Sequence, residues 1–280
     1  MHTRTGESQD QASRWNGPAG QAWVDARDVL DTAFAPIERV LLEIVDGGTA
    51  TAVLDVGCGT GGTTLAAVRR LGPGGTATGI DISAPMIAAA RTRAADARLP
   101  AVFVCADAAD HAFEPAGFAT IVSRFGVMFF ADPVRAFGNL RRAARPGAAL
   151  RFAAWRSPAE NPFMTAAERA AAPFLDLPPR RPGPGQFAFA EGGQVQRILE
   201  AGGWAGVEVR PLDAECAFPV WALDAYATTM GPVGLALRDA DAGRRARVEL
   251  AVRRAFEPYV HGAEVRFTAA CWQVDARNAA

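Results

Sequence analysis

A chain of 280 residues, half of them hydrophobic, has room for one large domain or two small ones and enough apolar surface to bury a core. Its 29 basic residues, every one an arginine, nearly cancel its 30 acidic ones, which argues against a nucleic-acid partner, and the absence of lysine excludes Schiff-base chemistry and a lysine-bearing phosphate loop. No apolar run reaches the ~18 residues of a membrane span, the polar start Met1 to Asp10 lacks a signal-peptide core, and the four cysteines are too scattered for a disulfide framework or a zinc site, so a cytoplasmic protein without a membrane partner is expected.

Residues 1–14 read as a frayed polar end. From Gly20 to Val45 apolar residues recur at helical spacing, predicting one or two amphipathic helices broken near Pro36 and stopped by Asp46-Gly47-Gly48. Thr51 to Val56 reads as a buried strand, followed by the turn Gly57-Cys58-Gly59-Thr60-Gly61-Gly62 and a helix from Thr63 to Leu71. A second strand spans Thr76 to Ile82. Ser83 is placed to cap a helix running to Ala97, with Pro85 in its first turn. Strands follow at Ala101–Ala106, Ala119–Ser123 and Ala148–Trp155. A helix from Pro133 to Ala144, closed by Arg145-Pro146-Gly147, separates the last two. Strands alternating with helices mean βαβ units and a parallel sheet. Beyond Ser157 the rhythm breaks: helices are expected at Met164–Phe174, Gln194–Gly202, Ala222–Leu237 and Ala242–Ala255, and strands at Val207–Phe218 and Glu264–Asp275.

In an open parallel sheet ligands sit beyond the carboxyl ends of the strands, which directs attention to the glycine turn after the first strand. Gly57, Gly59 and Gly62 fit a dinucleotide fingerprint, a weak signal by itself. Asp55, just before them, would repel a pyrophosphate and suits a ligand whose tail carries an ammonium. Asp81 ends the second strand, where a carboxylate can accept both hydroxyls of a ribose. Asp107, after the third, can meet an adenine amine. Three acids on three successive strand ends suit a nucleoside with a cationic tail.

The run Val53-Leu54-Asp55-Val56-Gly57-Cys58-Gly59-Thr60-Gly61 resembles the first motif of class I S-adenosylmethionine-dependent methyltransferases. Gly79-Ile80-Asp81-Ile82-Ser83 and Cys105-Ala106-Asp107-Ala108 resemble the next two, and the stretch from Ser123 through Gly147 resembles the later motifs of the small-molecule branch. Ala119 departs from an aspartate common in that family. Trp15 to Gly20 with Trp23 resembles a cap segment of a subset of these enzymes.

The resemblance implies a Rossmann-like doubly wound α/β sheet of seven strands whose last strand is antiparallel. It implies a helical cap over residues 1–46, a cofactor-binding core over 47–156, and lid insertions with C-terminal strands completing the sheet over 157–280. It further implies S-adenosylmethionine as cofactor. Asp55, Gly57, Cys58, Gly59 and Gly61 would surround its methionine part, Asp81 and Ile82 its ribose and adenine, Asp107 and Ala108 the adenine edge, and Ser123 and Arg124 the sulfonium end. Arg124 reads equally well as a surface ion pair. Trp15, Trp23, Phe125 and Met128 would border the acceptor, or pack as core, whereas Phe129 and Phe130 read better as core. Lid residues Phe163, Met164, Phe174, Phe187, Phe189, Trp221, Tyr226 and Met230 suit a hydrophobic or aromatic acceptor, or plain packing.

Of the three histidines, His2 lies in the polar end and His261 beside a turn. His111, four residues past Asp107, is the one candidate general base, with a solvated loop histidine as the alternative. No metal-ligand spacing is present. The expected activity is methyl transfer to an O, N or C atom of a small molecule by a monomer or homodimer. The rivals are cofactor binding without transfer and a nicotinamide-dependent oxidoreductase.

Overall fold

The computed structural model describes residues 11–45, 51–179 and 183–279. The polar start through Asp10, with His2, and the stop at Asp46-Gly47-Gly48 lie outside the described residues.

Five parallel strands form the core of one sheet: β1 (Ala52–Val56), β2 (Thr76–Asp81), β3 (Ala101–Cys105), β4 (Phe118–Arg124) and β5 (Ala144–Trp155). The long strands β6 (Ala205–Pro219) and β8 (Glu264–Arg277) complete it, with β8 antiparallel to both β5 and β6. A two-residue strand β7 (Val260–His261) folds back on β8 through a turn. The order is β3-β2-β1-β4-β5-β8-β6, the doubly wound sheet with an antiparallel final strand that the motifs imply. Val53, Leu54 and Val56 are buried, as expected of a central strand covered on both faces. The chain leaves β1 toward β3 and returns to β4 on the other side. This reversal opens a crevice at the carboxyl ends of β1 and β4.

Helices α1 (Pro18–Asp25) and α2 (Arg27–Leu42) precede β1. The helical run breaks at Ala26, not at Pro36, and α2 continues through the proline. Phe34, Ile37 and Leu41, flanking it, are fully buried, and at about 1.5–3 kcal/mol each their burial outweighs the hydrogen bond lost at the proline. Helices α3 (Gly62–Arg70), α4 (Ala84–Ala97) and α5 (Pro133–Ala143) connect the parallel strands. Ser83 caps α4 as expected, its Oγ accepting from Met86 N. The Arg145-Pro146-Gly147 segment belongs to β5 rather than to a loop: Gly147 N donates to Asn278 O, so the last strand captures these residues.

The second half adds α6 (Pro162–Ala171), α7 (Gly192–Ala201), α8 (Leu223–Thr229), α9 (Gly231–Leu237) and α10 (Ala242–Phe256). The single helix expected over 222–237 is two, parted at Met230 and Gly231, where Gly231 takes a φ of +65°. Buried Asn161 pins the start of α6 to β8, donating to Ala270 O at 2.9 Å and accepting from Ala270 N at 3.0 Å. Phe163 then stacks on Phe267 with centroids 3.8 Å apart. These contacts seat α6, α8, α9 and α10 beside the carboxyl ends of the sheet.

Candidate active site

Among the cavities at that end of the sheet, two adjoin through shared walls. The first is a cleft lined by Gly57, Gly59, Asp81, Ile82, Met86, Asp107, Ala108, Arg124, Phe125 and Gly126, with Trp15 and Trp23 of the N-terminal segment over it. Gly57 N and Cys58 N both donate to Ile80 O, bending the chain sharply after β1. Asp81 holds that bend from the side: Oδ2 accepts from Gly59 N and Oδ1 from Ser83 N, each at 2.8 Å. An ionised carboxylate has about four acceptor positions, so acceptor capacity remains for a hydroxyl in the cleft that Asp81 lines. Burial raises the Asp81 pKa, and the backbone N–H groups of Ser83, Gly59 and Ile82 pull it back. Ile82, Met86, Ala106 and Ala108 give this region apolar walls, and Asp107 sits at its edge, Oδ1 accepting from Ala109 N. A carboxylate for a ribose, an apolar slot for a base and close backbone at the glycines together fit an adenosyl cofactor.

Several expected site residues stand elsewhere. Asp55 is buried beneath the turn, where its Oδ2 accepts from Thr64 Oγ1 at 2.6 Å, and it lines neither cavity. Burial pushes its pKa up to about 7, against the pull of Thr64 and Arg124. Cys58 is buried against Gly79, and Gly61 packs against Phe103 and Ala90 at the start of α3; neither lines the cleft. Ser123 is a strut: its Oγ donates to Val56 O at 2.7 Å and accepts from Gly126 N at 3.1 Å, tying the two turns together. Arg124 lines the cleft and is also an ion-pair residue, bonded to Asp31 at 2.9 Å beside Glu38 at 3.6 Å. Arg93 shares Asp31, so two cations and two anions brace α2 against the turn. His111 lines neither this cleft nor the chamber beside it; its ring packs edge-on against Phe113, and its carbonyl accepts from Asn139.

The second cavity is a chamber beside the first, enclosed by α6, α8, α9 and α10 and by the loop after β4. The two share Trp15, Trp23, Phe125 and Phe129. Phe125 takes a φ of +69°, a costly conformation for a bulky residue, and stacks on Trp155 with centroids 4.4 Å apart. Met128, Phe163, Met164, Tyr226 and Met230 line the chamber. Phe174, Phe187, Phe189 and Trp221 do not, and Trp221 is 78% exposed. Phe129 and Phe130 pack half-buried against the core, as the sequence suggested, and also line the cleft. Met86 and the chamber residues Arg14, Glu168 and Gln186 carry no motif, and pattern reading missed them; Gly126 lies in a motif stretch but was given no site role.

Among the described residues no group of three His, Cys, Asp or Glu side chains converges as a metal site, and no helix is long and apolar enough to cross a membrane.

Comparison with known proteins agrees with this geometry. Residues 53–147 match the family model described as a methyltransferase domain. The chain is similar to Nocamycin O-methyltransferase of Saccharothrix syringae, 39% identical over 114 residues, which are 40% of this chain and 41% of the relative. The matches span between 40% and 55% of the lengths of the curated relatives. Among solved structures, Haemonchus contortus phosphoethanolamine N-methyltransferase 2 in complex with S-adenosylhomocysteine aligns at TM-score 0.54 with 16% identity, covering 87% of this chain and 52% of the other. The [4+2]-cyclase SpnF aligns at TM-score 0.54 with 20% identity, covering 93% and 95%. Strand order and cleft agree with that match: over residues 53–147 the chain is similar to the methyltransferase domain, and its sheet has the fold of the aligned structures.

Proposed function

We propose that the chain holds S-adenosylmethionine in the cleft and passes its methyl group to an oxygen of a small apolar or aromatic acceptor seated in the chamber. The carrying observation is the wall common to the two cavities: Trp15, Trp23, Phe125 and Phe129 border both. The cofactor, when bound, supplies an activated methyl group. The protein's task is to orient the reactants and exclude water. Asp81 would hold the ribose, Ile82 and Met86 the adenine faces, Asp107 and Ala108 its edge, and Gly57 and Gly59 would admit the methionine part close to backbone. An oxygen acceptor is supported by the name of the similar nocamycin enzyme.

The chamber-lining side chains able to take a proton are Glu168 and Tyr226, and burial raises the Tyr226 pKa further above neutrality. An acceptor already ionised at neutral pH, such as an acidic phenol, an enol or a carboxylate, therefore suits the chamber best. We take the protein to act on a free small molecule in the cytoplasm, as a monomer or homodimer; its near balance of charge supports the absence of a polyanionic partner. The experiment is a panel of acidic hydroxyl and carboxyl compounds, with amines as controls, incubated with methyl-labelled cofactor. Label in the oxygen compounds is expected, and label confined to amines refutes the oxygen assignment. The sparse proton-accepting groups of the chamber favour one second reading, cofactor binding without transfer, for which no panel compound becomes labelled.

A further inference from the structure

The N-terminal segment is hydrogen-bonded to the cofactor cleft at the junction of β2 and α4. Asn16 Nδ2 donates to Ile82 O at 3.1 Å, while Asn16 Oδ1 accepts from Ala84 N at 2.8 Å. Between these two groups Ser83 Oγ donates to Trp15 O at 2.7 Å. Ile82 O needs a donor, and Ala84 N is one of the unpaired N–H groups that open a helix. A carboxamide offers a donor and an acceptor at once; aspartate offers acceptors alone. Trp15 O is also held from behind, since a Cβ on Gly20 would lie 1.9 Å from it. The far end of the same junction is Asp81, whose Oδ1 accepts from Ser83 N and whose Oδ2 accepts from Gly59 N. A continuous hydrogen-bonded path thus runs from the glycine turn through Asp81 and Ser83 to Trp15 and Asn16. Trp15 meets Phe129 edge-on at 5.1 Å and Trp23 at 5.9 Å, and all three line the acceptor chamber.

We infer that Asn16 is a positioning residue that couples the cofactor loop to the wall of the acceptor chamber, so that cofactor binding at Asp81 sets the Trp15 wall before the acceptor binds. The inference rests on the proposed cofactor site. It implies an ordered reaction, cofactor first and acceptor second.

The test is calorimetric titration of the full chain with S-adenosylhomocysteine, joined to the rate of trypsin cleavage after Arg14 with and without that ligand. The wild type is expected to bind, and saturating ligand to slow cleavage at Arg14 at least several-fold. Asn16→Ala is expected to bind about tenfold more weakly and to lose the ligand-dependent protection even at saturation. Asn16→Asp, which keeps the bond to Ala84 N, should fall between, and its thermal melt near the wild type's shows a folded chain. Wild-type affinity or intact protection in Asn16→Ala overturns the coupling. A wild type that does not bind the ligand refutes the cofactor reading itself, and the coupling falls with it.

Discussion

A Cβ built on Gly57 would lie 2.5 Å from the Cα of Gly126, so the turns after β1 and β4 touch backbone to backbone at the mouth of the cleft. The contact is reciprocal, since a Cβ on Gly126 would lie 2.6 Å from Gly57 Cα and 2.5 Å from Val56 O.

Gly126→Ala therefore forces the two turns apart. A cost of about 1–3 kcal/mol is expected, together with at least tenfold weaker cofactor binding. Gly147→Ala is the control. Its φ of +77° carries strain of about 1 kcal/mol, but nothing lies within 4 Å of the new methyl, and cofactor affinity should not change. Denaturant melts and titrations of both variants check this.

Asp55 carries a pH signature. Its pKa in the folded chain is about 7, against an ordinary value of 3.8, so between those values the folded state holds a proton that the unfolded state has released. The stability this group contributes is complete below about pH 4 and falls as pH rises through 7, by about 4 kcal/mol at most. Asp55→Asn removes that titration. Unfolding free energies at pH 4.5 and pH 8 should shift in favour of the variant at the higher pH, and parallel curves would contradict the burial account.

His111→Ala should leave kcat within about twofold of wild type, because the side chain lines neither cavity. Glu168→Gln tests the alternative proton acceptor: a rate loss of about 10²-fold is expected for a weakly acidic acceptor and little loss for one that arrives ionised. Rates measured across pH with one acceptor of each kind separate the two cases.

Phe163 is fully buried, stacks on Phe267 and meets Phe256 and Tyr259 edge-on. Phe163→Ala should cost about 3–5 kcal/mol and open the chamber. Cofactor affinity, resting on the other cavity, should survive while discrimination among acceptors falls.

The parallel half of the fold was legible because its signals are local: buried runs, a proline in the first turn of α4 and of α5, glycines at the turns. The break in the first helices was misplaced because Pro36 is a local breaker, and only the burial of Phe34 and Ile37 in the assembled core overrides it. Asp81, Asp107 and the glycine turn could be placed in the cleft because strand ends in this topology share one edge. Asp55 misled for a related reason. Its position in the motif is at the edge, but its side chain points under the turn toward Thr64, a direction that spacing does not encode. The chamber was legible only in character. Phe163 and Met164 come from α6, Tyr226 from α8 and Met230 from the break after it, and nothing in the chain order tells which aromatic residues face inward.

The most direct test is titration of the purified chain with S-adenosylmethionine and, separately, with NADH, alongside Asp81→Ala. The account predicts micromolar binding of S-adenosylmethionine, weakened at least tenfold in the variant, and no binding of NADH. Binding of NADH alone, or S-adenosylmethionine affinity unchanged by Asp81→Ala, would contradict it.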